Sequence, residues 1–156
     1  MSPSSPGETL LVHATAVAIG GVGVLLTGGP GSGKSDLALR LVDGGALLVA
    51  DDQVMLQRLG DRLIAGFPVL APAELRGRLE VRGLGLMAVA ASAAVPLALV
   101  VALRPGPPAE RLPAPESADY LGVAVPLLGL DPFTASAAAQ VRLAVRTPRR
   151  GIIPPQ

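Results

Sequence analysis

Gly28-Gly29-Pro30-Gly31-Ser32-Gly33-Lys34-Ser35 meets the pattern Gly-x-x-x-x-Gly-Lys-Ser/Thr at every fixed position. The chain has 13 lysines and arginines, and Lys34 is the only lysine among them. A sequence that otherwise uses arginine thus has a slim, mobile ammonium where a side chain must reach between phosphate oxygens. Glycines let the backbone turn through conformations closed to other residues and bring its N–H groups close to a polyphosphate. The helix that follows directs its positive end at the same anion. The stretch therefore predicts a cradle in which Gly28, Gly29, Pro30, Gly31, Ser32 and Gly33 form the loop and Lys34 contacts the outer phosphates. The hydroxyl of Ser35 has the position and hardness to ligate a Mg²⁺ ion shared with those phosphates.

The flanks fit. Val22 to Thr27 is a short apolar run of the kind buried in a sheet, and it feeds straight into the loop. Ser35 to Asp43 predicts a helix. Leu37, Ala38, Leu41 and Val42 fall on one face, Asp36 and Arg40 stand elsewhere at i,i+4 spacing, and Gly44-Gly45 supplies a stop.

The rest of the chain bounds the possibilities. Its 156 residues, 50% of them hydrophobic, provide for one domain with a core. A net charge of +1 gives no electrostatic case for nucleic acid, and an aromatic content of 2% argues against base-stacking surfaces. The lack of cysteine excludes disulfides, thiolate metal sites and cysteine nucleophiles, and it suits a reducing cytoplasm. Met1 to Glu8 is a Ser/Pro/Gly-rich tail without the features of a leader. We expect a mobile tail over 1–10, a phosphate-loop domain over 11–146 and a second tail over 147–156.

Along the chain, Leu11 to Ile19 and Val22 to Thr27 read as two β runs joined by the hairpin signal Gly20-Gly21. Ala46 to Ala50 reads as a strand ending in Asp51-Asp52. Met55 to Leu59 and Leu63 to Ala65 flank a turn at Gly60-Asp61, and Pro68 and Pro72 mark an irregular connection. Gly83 to Leu103 carries no charge and is long enough to cross a bilayer. Its alanines and glycines, Ser92 and the division at Pro96 favour buried core instead, with Leu97 to Leu103 as a strand. Arg104 to Pro115 reads as an exposed, proline-rich loop. Asp131-Pro132 reads as the N-cap and first residue of a closing helix that runs to about Val145.

Asp51 and Asp52 stand at the end of a strand, where ligands bind in sheets of this kind. Successive strand side chains point to opposite faces, so the two carboxylates can do different work. One suits Mg²⁺, and the other suits accepting a proton from an incoming hydroxyl. His13, the only histidine, shares one side of its predicted strand with Thr15, Val17 and Ile19, with alanines on the other. Spacing alone makes it a packed strand residue.

The stretches His13 to Ser35, Val49-Ala50-Asp51-Asp52 and Leu79-Glu80-Val81-Arg82-Gly83-Leu84-Gly85-Leu86 resemble, in order, the catalytic domain of the HPr kinase/phosphorylase family. The last is similar to that family's signature of a glutamate and an arginine followed by Gly-x-Gly. The resemblance runs from about Val12 to Met87 and fades beyond. It implies an α/β phosphate-loop domain of the HPr kinase and phosphoenolpyruvate carboxykinase type, with a mixed sheet and few helices. It also implies an ATP- and Mg²⁺-dependent serine protein kinase whose target is HPr or an HPr-like phosphocarrier of the bacterial phosphotransferase system, with no nucleic acid or membrane partner. By the same resemblance Lys34 neutralises phosphate charge, Ser35 and Glu80 ligate the metal with support from Asp51, and Asp52 accepts the serine proton. His13 matches the catalytic histidine and Arg82 a charge partner at the reaction centre. Assembly as a hexamer is the family's habit.

The chain also departs from the family. It has no room for the N-terminal domain of typical members and so resembles their shortened, catalytic-domain form. The late arginine tied to phosphorolysis is followed in the family by Asn-Leu-Ala, whereas Arg142 is followed directly by Leu143-Ala144. Pro30 replaces a small polar residue in the loop. A small-molecule kinase, a nucleotide-binding regulatory module and a purely structural domain are the competing classes.

Overall fold

A computed structural model describes residues 7–107 and 110–147. The remainder of both predicted tails and two positions of the proline-rich loop lie outside the described residues. The loop-feeding strand, β3 (Val22–Thr27), pairs antiparallel with β2 (Thr15–Ile19), which in turn pairs with β4 (Leu47–Ala50). The turn between β2 and β3 is Gly20-Gly21, with φ of 60° and 84°, the double positive that a tight hairpin requires and glycine accepts without strain. On its other edge β3 runs parallel to β9 (Val95–Leu103).

β9 changes partner along its length. Its first residues pair antiparallel with β6 (Arg62–Gly66), which continues through β5 (Val54–Leu59) to β1 (Thr9–Val12). Its last four run parallel to β11 (Val123–Leu130), which forms a hairpin with β10 (Glu116–Tyr120). Nine strands thus join one mixed sheet among the described residues. A separate hairpin, β7 (Arg78–Val81) and β8 (Gly85–Ala88), lies against α1 (Lys34–Asp43), and α2 (Ala137–Arg146) packs beside α1.

Alternation in β3 feeds two cores. Val24 and Leu26 meet Leu37, Ala38 and Leu41 of α1, Val141 of α2 and Leu79 of β7. Leu25 faces the other way, into Ala16, Val54, Leu56, Leu63 and Val100, because the sheet curls until β6 approaches β4. With both faces covered, the strands read as continuous apolar runs. The alanines of β2 are therefore as buried as its valine.

Three expectations need correction. The run Leu11 to Ile19 is two strands broken at His13-Ala14, because β1 belongs beside β5 and β2 beside β3. His13 is accordingly an exposed bend residue and no strand neighbour of Val17. The closing helix starts at Ala137 and not at Pro132. Asp131 spends its carboxylate on the amides of Phe133 (2.9 Å) and Gly106 (3.0 Å), which pins a turn in place of capping a helix. Finally, the uncharged stretch is buried core only toward its end in β9, since β8 is exposed, and β9 begins before Pro96. That proline sits where pairing with β6 ends, so its missing N–H interrupts no continuous ladder. Among the described residues, no helix is long and apolar enough to cross a membrane.

Since β3, β9 and β11 run parallel, their C-terminal ends share one edge. The glycine loop, Arg104 to Gly106 and Asp131 to Thr134 therefore lie together.

Candidate active site

The loop closes on α1 through Gly33, whose φ of 99° is left-handed and whose carbonyl accepts the amide of Leu37 at 2.9 Å. α1 begins at Lys34, one residue earlier than its sequence predicts. The Lys34 ammonium folds back across the loop and donates to the carbonyls of Gly28 (2.7 Å) and Gly29 (3.1 Å). Gly28 must be glycine for packing, since a Cβ there would collide with the Ser32 side chain. The Ser32 hydroxyl is itself buried without a hydrogen-bond partner. A spare hydroxyl donor at the positive end of a helix fits a polyphosphate.

Asp51, just past β4, ties three elements together. Its Oδ1 accepts from Thr15 Oγ1 of β2 at 2.8 Å and from Ser35 Oγ of α1 at 3.1 Å. Its Oδ2 accepts from the amide of Glu80 in β7 at 3.1 Å. Ser35 and Asp51 thus present adjacent hard oxygens, the donor set suited to a Mg²⁺ that keeps water and phosphate as its other ligands. Among the described residues no three His, Cys, Asp or Glu side chains are grouped to hold a metal by themselves.

Asp52 turns away from this knot. Its backbone is left-handed at φ 70°, unusual for a residue with a side chain, and the turn is secured by Ala14 N to Asp52 O at 3.2 Å and Gln53 N to Asp51 O at 2.8 Å. The rotation leaves its carboxylate 75% exposed, with His13 Nδ1 3.4 Å from Oδ1. Two neighbouring aspartates thereby acquire opposite environments, one bonded inward and one open to solvent.

The other expected residues divide. Leu79 anchors β7 in the core and so delivers the Glu80 backbone to Asp51, with the Glu80 side chain on the exposed face. Arg82 lies in the exposed turn between β7 and β8. Pro30 sits exposed at the tip of the loop. The structure does not bring Arg142 to the loop. Its guanidinium donates to the carbonyls of Arg40 (2.9 Å) and Leu41 (3.5 Å) and closes the C-terminal end of α1, about 10 Å along the helix from Lys34.

Three residues of this edge escape a sequence reading. Thr15 is a fully buried hydroxyl in an apolar strand, and that oddity was the available signal. Asp131 and Phe133 were absorbed into a helix start.

A strand that ends in a glycine loop, a helix that starts directly from it and a carboxylate hub just past a nearby strand of the same sheet define an α/β phosphate-loop domain. A family model, HPr Serine kinase C-terminal domain, matches residues 7–95, and the chain belongs to that family. It is 44% identical over 81 residues, 52% of this chain, to HPr kinase/phosphorylase of Alkaliphilus metalliredigens. It is 40% identical over 151 residues, 90% of this chain, to that of Burkholderia lata. The chain spans 25% of the length of the first relative and 44% of the second. The Hpr(Ser) kinase/phosphatase structure from Coxiella burnetii superposes with a TM-score of 0.74 at 26% identity, covering 88% of this chain and 94% of that one.

Proposed function

We propose that this chain is an ATP-dependent serine protein kinase domain, with 11–146 as its catalytic unit and HPr or an HPr-like phosphocarrier as its substrate. The observation that carries the reading is the pair of aspartates. Asp51 is bonded to the phosphate-loop serine, and Asp52 stands exposed beside it with a histidine in contact.

Bound Mg-ATP would supply the transferable phosphoryl group and the metal charge that neutralises it. The loop amides, the Ser32 hydroxyl and Lys34 hold the phosphates and stabilise the charge that spreads in the transition state. Ser35 and Asp51, with Glu80 close by, hold the metal. Asp52 accepts the proton of the incoming serine hydroxyl, and its exposure lets a protein substrate reach it. His13, 3.4 Å from Asp52, would stabilise its carboxylate, and Arg82 would serve as a charge partner for the reacting groups. Phosphorolysis would need a further cation near the transferred phosphate, a role that Arg142 does not fill within one chain. Val69 and Leu70, 84% and 94% exposed, offer apolar surface for a homo-oligomer, a hexamer by family habit.

The test is incubation of purified protein, Mg-ATP and candidate carriers, with phosphoserine mapped by mass and a second incubation in inorganic phosphate to detect reversal. Asp52→Asn is expected to keep ATP affinity and lose transfer by about 10²- to 10⁴-fold, the range for a general base. Normal turnover in that variant would overturn the assignment.

A further inference from the structure

Phe133 is the one exposed aromatic side chain among the described residues, Phe67 and Tyr120 being half-buried against the inner core. It is 61% exposed, yet its ring lies on the glycine loop, so that a Cβ added at Gly33 would sit 3.3 Å from it. An aromatic in such a place is not held there by burial. It is held by polar ties from three elements. Asp131 fixes its amide at 2.9 Å and the amide of Gly106 at 3.0 Å, and the Arg40 guanidinium of α1 donates to Pro132 O and, at 3.3 Å, to Thr134 O.

Direction matters as much as contact. Across the sheet the order is β4, β2, β3, β9, β11. The metal-binding pair Asp51 and Ser35 lies toward the β4 side of the loop, and Phe133, following β11, stands on the opposite side. A triphosphate whose metal-linked end faces Asp51 must carry its nucleoside toward Phe133. We infer that Phe133 is the platform on which the purine base of the nucleotide stacks, an inference that rests on the nucleotide-binding reading above. Stacking tolerates any base face, so ATP and GTP share the platform, and a triphosphate without a base gains nothing from it.

The experiment compares affinities for ATP and inorganic tripolyphosphate in the wild type, Phe133→Ala, Phe133→Trp and Lys34→Ala. Phe133→Ala is expected to weaken ATP about 5- to 150-fold, the range for one base on one ring, and to leave tripolyphosphate unchanged. Phe133→Trp is expected to restore ATP binding, and as the only tryptophan in the chain its fluorescence should be quenched by ATP and not by tripolyphosphate. Equal weakening of both ligands in Phe133→Ala would mean that the ring only shapes the loop, and would overturn the inference. So would unchanged ATP affinity together with a raised KM for a carrier protein, which would make Phe133 a docking residue. Lys34→Ala is expected to lose both ligands. If it binds both as well as the wild type, the phosphate-loop reading itself fails, whatever Phe133 does.

Discussion

Asp51 and Asp131 each follow a strand, β4 and β11, on either side of the glycine loop, and each divides its carboxylate between two or more segments of chain. They differ in what they bond. Asp131 accepts only from main-chain amides, so its hydrogen bonds fix the course of the chain and bring no side-chain oxygen to the site. Asp51 accepts one amide and two hydroxyls, one of which belongs to Ser35 in the first turn of α1. Residue type and place at a sheet edge do not separate scaffold from site here. The nature of the donors does.

The comparison breaks most visibly at Asp51. Asp51→Asn keeps the shape and removes the charge, while Thr15 and Ser35 hydroxyls can reorient to an amide. The Mg²⁺ concentration for half-maximal phosphoryl transfer is expected to rise about 10- to 100-fold, as for lost groups in and around metal shells. The thermal midpoint should move less than in the Asp131 variant below. A metal titration of activity beside a melting curve reads both. An unchanged Mg²⁺ dependence would make Asp51 a second Asp131.

Asp131→Ala should give the reverse pattern. It leaves the half-buried amide of Gly106 without its acceptor, at a cost of about 1–2 kcal/mol, while the amide of Phe133 can turn to water. For a domain of this size that lowers the midpoint by about 3–6 °C. Mg²⁺ dependence should be unaltered. A shift in it would show that the two sides of the loop are coupled through the site.

What was legible in the chain follows the same division. The loop, β3, α1 and the Asp51-Asp52 step are local signals, a glycine pattern set between a strand period and a helix period, and they survive folding. The edge beyond β9 is built from distant pairings. β11 contains Pro126 and Gly129, which read as breakers, yet its pairing with β9 begins at Leu127, one residue past the proline. The β10–β11 turn, Leu121-Gly122, has φ of 54° and 80°, and a leucine in that left-handed position carries no turn signal. His13 could be tied to Asp52 only by resemblance, because the break in its strand depends on β1 joining a different part of the sheet. The partners of Asp131 lie as far away as Gly106, so its short-range likeness to an N-cap prevailed. Arg142 matched by type and neighbours, but only the packing of α2 on α1 reveals which carbonyls it meets.

A third carboxylate at this edge completes the series. Glu116 opens β10 and binds Arg104, just past β9, through two hydrogen bonds of 3.0 and 3.1 Å, with both side chains about half exposed. The hydrogen bonds from Arg104 hold the Glu116 carboxyl below its usual range, with weak burial acting the other way. Since the folded chain ionises Glu116 at lower pH than the unfolded chain, the pair stabilises the fold above the ordinary carboxyl range. That contribution is lost as pH falls through the depressed value. Solvent and salt limit an exposed pair to about 0.2–1 kcal/mol. Glu116→Gln should therefore lower the midpoint at pH 7 by no more than about 3 °C, less than Asp131→Ala does. The gap to the wild type should narrow in high salt and close in acid, with Mg²⁺ dependence untouched. A loss equal to that of Asp131→Ala, or one that persists in acid, would mean that bonding to a side chain in solvent holds this edge as firmly as bonding to buried amides. The ranking of the three acids by their donors would then fail.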